Sequence, residues 1–268
     1  MAELFLKRVL VGAACFVAAT HVAFAADTIG VSYIASASGA PVFKASLIAT
    51  LDGASYSASF DGKTTGVTNM LSKYKIGLNV TGNASGSKLV PAKFNKATSK
   101  KKKDKYANVE FGAGSLTSLV TQDGPQTETP AVLSAIKGKA VDPLTAILRV
   151  AVSQGAAGAK PCSGTQRFYD GRDVGDLSFS LVKKMPVANG TAYHCKMTYS
   201  SVAGRNVENH DDAMVVYGLW LVPVAIPSSK ATIYLPARLT GQYAGLSVSV
   251  EATGISVNGA DATVVMPE

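Results

Sequence analysis

The segment VFKASLIATLDGASYSASF, residues 42–60, predicts the fold of the chain. Two runs of strand-forming residues, 42–51 and 55–60, flank the dipeptide Asp52-Gly53. An Asp-Gly pair readily supplies the positive backbone φ that a tight β-hairpin turn requires. The segment therefore predicts two antiparallel strands that are joined by a short turn.

Apolar and polar residues alternate in much of the remaining chain. Residues 74–80 show the pattern clearly, and segments 193–199 and 246–252 repeat it. Such alternation is typical of strands that bury one face and expose the other to water. Together with further candidate strands, these segments predict an antiparallel sheet of about ten strands. The further candidates are residues 33–37, 106–111, 177–182, 214–222, 231–235 and 255–258.

One segment departs from the two-residue period. In DPLTAILRVA, residues 142–151, apolar residues recur three and four positions apart, as they do on one face of a helix. Asp142 is a good N-cap, Pro143 suits the first helical position, and Gly155 is suited to ending the helix. The pattern predicts one principal helix near residues 142–154, packed against a strongly curved antiparallel sheet in a mainly β fold. The apolar stripe that we expect to be buried is Leu144, Ile147, Leu148 and Ala151.

The N-terminus predicts export. Lys7 and Arg8 precede an apolar run, and Ala23-Phe24-Ala25 places small residues at the two positions that a signal peptidase recognises. We therefore expect residues 1–25 to be a cleavable signal peptide, and residues 26–268 to form a single β-rich domain in a bacterial periplasm. Lipoprotein processing at Cys15 is the alternative, but Gly12 stands where an aliphatic residue is preferred.

Composition indicates a folded protein, and net charge limits the classes of partner that we expect it to bind. Hydrophobic residues make up 47% of the chain and charged residues 16%, which indicates a folded core and excludes disorder for most of the chain. The net charge of +8 becomes +7 when Lys7, Arg8 and Glu3 leave with the signal peptide. A basic exported protein is expected to meet anionic lipid, lipopolysaccharide or peptidoglycan, whereas nucleic acid is not an expected partner. The sequence leaves the oligomeric state open.

The mature chain keeps two cysteines, Cys162 and Cys195. Two lone cysteines in an oxidising compartment predict one disulfide. Two buried free thiols are the alternative.

Three motifs resemble those of a known family. The motif DPLT at residues 142–145 opens the predicted helix, FYDGR at residues 168–172 leads into a strand, and Cys195 is followed by YSSVAG at residues 199–204. Together they resemble domain of unknown function family 3108, whose members are exported bacterial proteins. The chain departs from the family at Asp173, where a second basic residue is expected, and in its lysine run. The resemblance implies no established activity.

The layout is also similar to that of the envelope-integrity β-spiral proteins of alphaproteobacteria. In those proteins a strongly curved sheet wraps a helix, and a disulfide pins it. The similarity implies a β-spiral or open barrel-like sheet and an envelope location, and it implies nothing about activity.

No recognisable catalytic motif occurs in the chain. Nucleophile-elbow, zinc-protease, C-x-x-C and phosphate-loop patterns are all missing from the sequence, so we predict no catalytic residue, cofactor or metal. His194, His210, Asp211 and Asp212 offer metal-ligand chemistry. His194, however, is predicted on the wet face of its strand, and the acidic pair is typical of a turn.

Two charged groups are the candidate contact sites. Lys100, Lys101, Lys102, Lys103 and Lys105 lie in a basic loop that is predicted near residues 95–105. They are compatible with a contact to an anionic surface, and also with a solvated hairpin that discourages aggregation of the sheet edge.

The second group is a polar cluster beside one predicted end of the disulfide. It contains Asp170, Arg172, Asp173 and Asp176. A turn at Asp170 with an ion pair to Arg172 is the favoured interpretation, and a ligand site is the alternative.

Two functions from different classes are compatible with these features. The first is a non-catalytic periplasmic envelope protein, either structural or carrying an apolar ligand or peptide, that supports the integrity of the cell envelope. The second is a periplasmic hydrolase that acts on cell-wall or lipid substrates. A deep apolar groove would favour the first, and a base hydrogen-bonded to a nucleophile in a cleft would favour the second.

Overall fold

A computed structural model describes residues 26–101, 103–153, 160–204, 214–228, 231–243 and 245–262. The predicted signal peptide, residues 1–25, lies outside the described residues. The described parts contain fifteen strands and three helices. The strands are β1 (Asp27–Ala37), β2 (Ala40–Leu51), β3 (Ser55–Thr64), β4 (Tyr74–Ser85), β5 (Lys88–Lys100), β6 (Lys103–Gly112), β7 (Ser115–Thr121), β8 (Gly124–Pro125), β9 (Gly164–Tyr169), β10 (Asp173–Val187), β11 (Gly190–Gly204), β12 (Met214–Ile226), β13 (Ala231–Tyr243), β14 (Leu246–Val257) and β15 (Ala260–Asp261). The helices are α1 (Gly66–Leu71), α2 (Pro130–Ile136) and α3 (Pro143–Ser153).

All described strands belong to one antiparallel sheet. Its order is β8-β7-β6-β5-β4-β3-β2-β1-β14-β13-β12-β11-β10-β9, and β15 pairs with β14. The path ends at β8 and β9, so the sheet is not closed into a barrel. This confirms the predicted mainly β, open barrel-like architecture, although the sheet has five strands more than the number expected.

One face of the sheet is buried because apolar residues alternate along the strands. In β2, Leu47 and Ala49 are buried, whereas Ile48 between them is exposed. The buried face, which is the inner face of the sheet, contributes most of the main hydrophobic core. Helices α2 and α3 add Val132, Ile136, Leu144 and Leu148 to the same core.

The gap between the two edges of the sheet is covered by α2 and the residues around it. Helix α2 contacts β7 on one side and β9, β10 and β11 on the other. Val141 follows α2 and extends the edge of β9, since its N–H donates to the Arg167 carbonyl (3.1 Å) and its carbonyl accepts from the Tyr169 N–H (2.8 Å). Val141 therefore partners the Arg167 carbonyl and the Tyr169 N–H at that edge, which hinders pairing of this part of the edge with another chain.

The principal helix lies where the sequence predicts it. Helix α3 contacts β3, β4, β5, β9 and β13. Leu144, Leu148 and Ala151 of the predicted stripe are buried, but Ile147 is 37% exposed. The expectation of burial was wrong at Ile147, because this side chain borders an open cavity. No described helix is both long enough and apolar enough to cross a membrane.

Candidate functional site

A buried polar network fixes the start of α3. The Asp142 carboxylate accepts from the Thr145 N–H (2.9 Å), as an N-cap does, and also from the Thr145 hydroxyl. The Tyr56 hydroxyl lies 2.5 Å from Thr145 Oγ1, which ties the helix to β3. Burial raises the pKa of Asp142, and it also raises the pKa of Tyr56 above its ordinary value. The DPLT motif is therefore a structural anchor.

Arg149 anchors the same side of α3 one turn later. Its Nε and its terminal NH2 nitrogen both donate to the Leu89 carbonyl of β5, and the Nε distance is 2.8 Å. Burial lowers the pKa of this guanidinium, and the nearby Tyr56 and Asp142 oppose that shift. Helix α3 is thus hydrogen-bonded to β3 and β5 on a single flank.

The opposite flank of α3 borders a cavity of about 470 Å³, which is the apolar cavity. Its walls come from α3 and from the nine strands β1, β2, β3 and β9 to β14. Arg238 is the one charged residue among the lining residues that the structure describes. The lining residues are Tyr33, Ala35, Phe43, Ala45, Leu47, Phe60, Pro143, Leu144, Ile147, Val150, Phe168, Leu177, Phe179, Met197, Leu219, Pro236, Arg238, Leu239 and Val250.

Among the described residues, two polar side chains line the apolar cavity, Tyr33 and Arg238, and the buried Arg238 Nε has no hydrogen-bond partner. The Tyr33 hydroxyl donates to the Pro236 carbonyl (3.0 Å), and burial raises the pKa of this phenol above its ordinary value. The Arg238 guanidinium forms an ion pair with Glu251 (Nε to Oε1, 3.3 Å). The cavity therefore presents mainly hydrocarbon to a ligand, and its described lining contains no nucleophile paired with a base.

The disulfide lies beside the apolar cavity. Cys162 and Cys195 are joined, with their Cα atoms 5.4 Å apart, and this agrees with the predicted pairing. Both cysteines are buried in a cluster with Val150, Leu219 and Leu221. The bond connects β11 to the segment before β9 and so ties together two regions that surround the cavity.

The predicted polar cluster forms a turn between β9 and β10. The Asp170 carboxylate accepts from the N–H groups of Arg172 (3.0 Å) and Asp173 (2.9 Å). Gly171 has a φ of 88°, and an added Cβ would come within 2.7 Å of the Ala107 side chain on β6. Only glycine suits both the backbone angle and the close approach.

Ion pairs hold this turn and the strands beside it. Lys96 of β5 pairs with Asp170, and Arg172 pairs with Asp173 (Nε to Oδ2, 3.5 Å). Arg167 donates from Nε and from its terminal NH2 nitrogen to the two Asp176 oxygens, each at 2.8 Å. The turn therefore connects the β9 side of the sheet to β5 and β6.

A polar cavity of about 310 Å³ brings parts of the two predicted contact sites together. Its lining includes Lys105 from the lysine run and Asp170 and Arg172 from the polar cluster. Asp173 and Asp176 do not line it, nor do the described lysines of the hairpin end. Glu128, which also lines it, accepts a hydrogen bond from the buried Tyr169 hydroxyl.

The lysine run is a hairpin end and not the basic loop that was predicted near residues 95–105. Strand pairing continues to Lys100 and Lys103, so most of the run is in β5 and β6. Lys101 takes a left-handed φ of 50° in the turn, and Lys102 lies outside the described residues. The regular register explains the difference, because lysines are tolerated in strands whose side chains reach solvent.

The metal-ligand candidates are not brought together by the described parts of the chain. His194 stacks on Trp220, with ring centroids 4.6 Å apart, and burial followed by the charge of Lys183 lowers the pKa of its imidazole. His210, Asp211 and Asp212 lie outside the described residues. Within residues 26–262, apart from the gaps given above, no group of three metal-ligating side chains is present.

The sequence of the chain matches a described protein family. The model of the family described as "Protein of unknown function (DUF3108)" matches residues 31–227. The chain belongs to this family. The matched region contains the DPLT motif, the FYDGR motif and the segment from Cys195 to the end of β11, so the resemblance predicted from these motifs is confirmed. No curated protein matches the chain.

A solved structure shows a similar fold. It is a beta-barrel-like protein of domain of unknown function DUF1849 from Brucella abortus, with 12% sequence identity and a TM-score of 0.51. The similarity covers 87% of this DUF3108 chain and 97% of the Brucella chain. At that identity the comparison shows the fold alone, and it agrees with the open barrel-like sheet.

Sequence reasoning did not identify the apolar cavity. Its walls come from nine strands that are distant in sequence, so no motif contains them. One signal was present, because α3 carries Val150 and Val152 outside the predicted stripe. A helix that is apolar on more than one face needs a second apolar partner.

Proposed function

We propose that this DUF3108 protein is a non-catalytic protein of the cell envelope that carries an apolar ligand in the apolar cavity. The observation that carries the proposal is the lining: a space of about 470 Å³ is bordered almost entirely by hydrocarbon. Cavities of roughly 300 to 1,000 Å³ with apolar walls are typical ligand sites. Water gains few hydrogen bonds in such a space, so an apolar chain is the favoured occupant.

The accessibility of the cavity supports this proposal. Ile147 lines it and is 37% exposed, so the cavity is open to solvent along α3. Each methylene group that enters from water contributes about 0.8 kcal/mol. Because Tyr33 and Arg238 are the polar side chains among the described lining residues, and Tyr33 already donates to a backbone carbonyl, the ligand is recognised mainly by its hydrocarbon. An acyl chain fits this chemistry better than a sugar or a peptide backbone.

The alternative function, hydrolysis of cell-wall or lipid substrates, receives no comparable support. A hydrolase of that kind needs a nucleophile and a base within hydrogen-bond reach of a bound substrate. In the described lining of the apolar cavity, the hydroxyl group belongs to Tyr33, and it donates to a backbone carbonyl.

The test fills the cavity without changing its polarity. Ala35 lines the cavity on β1, so Ala35→Phe places an aromatic ring in the space that the ligand would occupy. The matched control is Ala225→Phe, since Ala225 is exposed on β12 and does not line the cavity. We expect a fluorescent long-chain fatty acid to bind the wild type and Ala225→Phe, and to bind Ala35→Phe at least about tenfold more weakly.

Native mass spectrometry of the protein from its own cells provides an independent measurement. We expect a co-purified apolar molecule in the wild type and its loss in Ala35→Phe. In a strain that lacks the gene, sensitivity to detergents should rise, and Ala225→Phe should restore resistance better than Ala35→Phe. Equal fatty-acid binding by the two variants would contradict the proposal.

A further inference from the structure

Three lysines form a row across neighbouring strands on the outer face of the sheet. Lys44 of β2 is directly opposite Lys63 of β3, and Lys63 is directly opposite Lys75 of β4. All three are exposed, and no described acidic group lies within ion-pair distance of their ammonium groups. Like charges that are directly opposite in a sheet repel one another and destabilise the fold. The row therefore has no stabilising role of its own.

The topology places the lysine run at the same end of the sheet. β3 ends at Thr64, β4 begins at Tyr74, and β5 pairs with β4 up to the match of Lys100 with Tyr74. The Lys101 N–H also donates to the Lys73 carbonyl (3.3 Å). Residues 42–46, 61–75 and 97–106, which together are the basic end, contain nine lysines and two aspartates.

An exposed apolar side chain lies within the basic end. Helix α1 connects β3 to β4, and its Met70 is 84% exposed. Lys63, Lys73 and Lys75 flank this connection in sequence. An exposed methionine in a connection flanked by lysines is complementary to a bilayer surface, where anionic headgroups overlie hydrocarbon. A sulfated or phosphorylated glycan would satisfy the lysines but would offer no hydrocarbon for Met70.

We propose that the basic end docks on the surface of an anionic phospholipid bilayer, with Met70 inserted below the headgroups. Lys44, Lys63 and Lys75 of the row, and Lys100, Lys101 and Lys103 of the hairpin end, contact the headgroups around it. The lysines and Met70 of this surface do not line the apolar cavity, although Phe43 and Ala45 of the same stretch do. Docking would bring a protein that carries an apolar ligand to the membrane. It does not require that a ligand is bound in the apolar cavity.

The experiment measures flotation of the full mature chain with vesicles of phosphatidylglycerol and phosphatidylethanolamine. We expect binding by the wild type, weaker binding as salt rises, and none to vesicles of phosphatidylcholine alone. The variant K44Q/K63Q/K75Q should partition roughly a hundredfold less. Its control, K88Q/K184Q/K196Q, removes the same charge at exposed positions outside the basic end and should bind like the wild type.

The insertion of Met70 has its own readout. The chain contains one tryptophan, Trp220, which is buried, so M70W adds a reporter to a constant background. We expect its emission to shift to shorter wavelength with anionic vesicles and to be quenched by brominated acyl chains. M70S should bind less than the wild type, and the melting temperature of K44Q/K63Q/K75Q should equal or exceed that of the wild type.

Three results would overturn the proposal. The first is an equal loss of vesicle binding in the two triple variants, and the second is an unchanged M70W emission on bound vesicles. The third is retention of the protein on lipopolysaccharide or peptidoglycan without binding to phospholipid vesicles. Ala35→Phe should keep full vesicle binding. A failure of docking is therefore distinguishable from a failure of the proposed carriage.

Discussion

The two flanks of α3 are packed in different ways. On the flank towards β3 and β5, Thr145 and Arg149 form hydrogen bonds with Tyr56 and the Leu89 carbonyl. On the flank towards β9 to β14, Ile147 and Val150 border the apolar cavity. Because these hydrogen bonds fix the position of α3, the side chains of its other flank need not fill the space between the helix and the sheet. The difference indicates how the sheet can enclose a helix and still leave room for a ligand.

The largest expected effect concerns the disulfide beside the cavity. Replacing Cys162 and Cys195 by serine removes a cross-link with a sequence separation of 33 residues. On the chain-entropy model this lowers the free energy of unfolding by about 3 to 4 kcal/mol. Urea denaturation of the wild type and the double variant measures the change. If reduction of the wild type produced no loss of stability, the bond would not support the fold.

A pair of alanine substitutions compares the two flanks directly. Leu148 is fully packed on the anchored flank, so Leu148→Ala should lower the free energy of unfolding by about 3 kcal/mol. Ile147 faces the open cavity and is already partly in water, so Ile147→Ala should cost about 1 kcal/mol or less. Urea denaturation gives both values. Similar losses for the two variants would show that the flanks are packed alike.

The hydrogen-bonded start of α3 at Asp142 and Thr145 is expected to contribute less to the free energy of unfolding. Asp142→Ala removes the N-cap of α3 and leaves the Thr145 groups without their acceptor. The cap contributes about 1 kcal/mol, and an unpartnered buried group adds about 1 to 2 kcal/mol, so a loss of about 2 kcal/mol is expected. Thr145→Val is the matched comparison and should lose less, because Asp142 keeps its hydrogen bond to the backbone N–H. If Thr145→Val lost more stability than Asp142→Ala, the contact between Thr145 and Tyr56 would be the more important one.

The smallest expected effect concerns pH. Burial raises the pKa of Asp142 in the folded protein, whereas an unfolded aspartate has a pKa of about 3.9. The group therefore contributes full stability below about pH 4, and the contribution falls as pH rises through the folded pKa. As pH rises above about 4, the stability of the wild type should decline relative to that of Asp142→Asn. If the stability of the two proteins changed equally with pH, a raised pKa at Asp142 would be excluded.

Local patterns predicted the elements whose sequences are strongly periodic. The two-residue alternation predicted β4, β11 and β14, and the Asp142-Pro143 start predicted α3. Strands β5, β7, β8, β9 and β15 were not predicted, and the separate candidates 246–252 and 255–258 belong to one strand, β14. The alternation in β5 is obscured by lysines on both faces and by Pro91, and the apolar residues of β9 are adjacent in sequence. Pairing with neighbouring strands decides such segments more than their own composition does.

The sequence by itself determined the mainly β class, the principal helix, the cysteine pair and the family, because each depends on neighbouring residues or on a motif. Only the tertiary structure decided the apolar cavity and the basic end. The cavity depends on one helix whose side-chain hydrogen bonds to the sheet lie on the flank towards β3 and β5. The basic end depends on the register that aligns Lys44, Lys63 and Lys75. A shift of one residue in that register would send a lysine to the inner face. Properties that arise from distant residues brought into register are therefore decided by the assembled sheet.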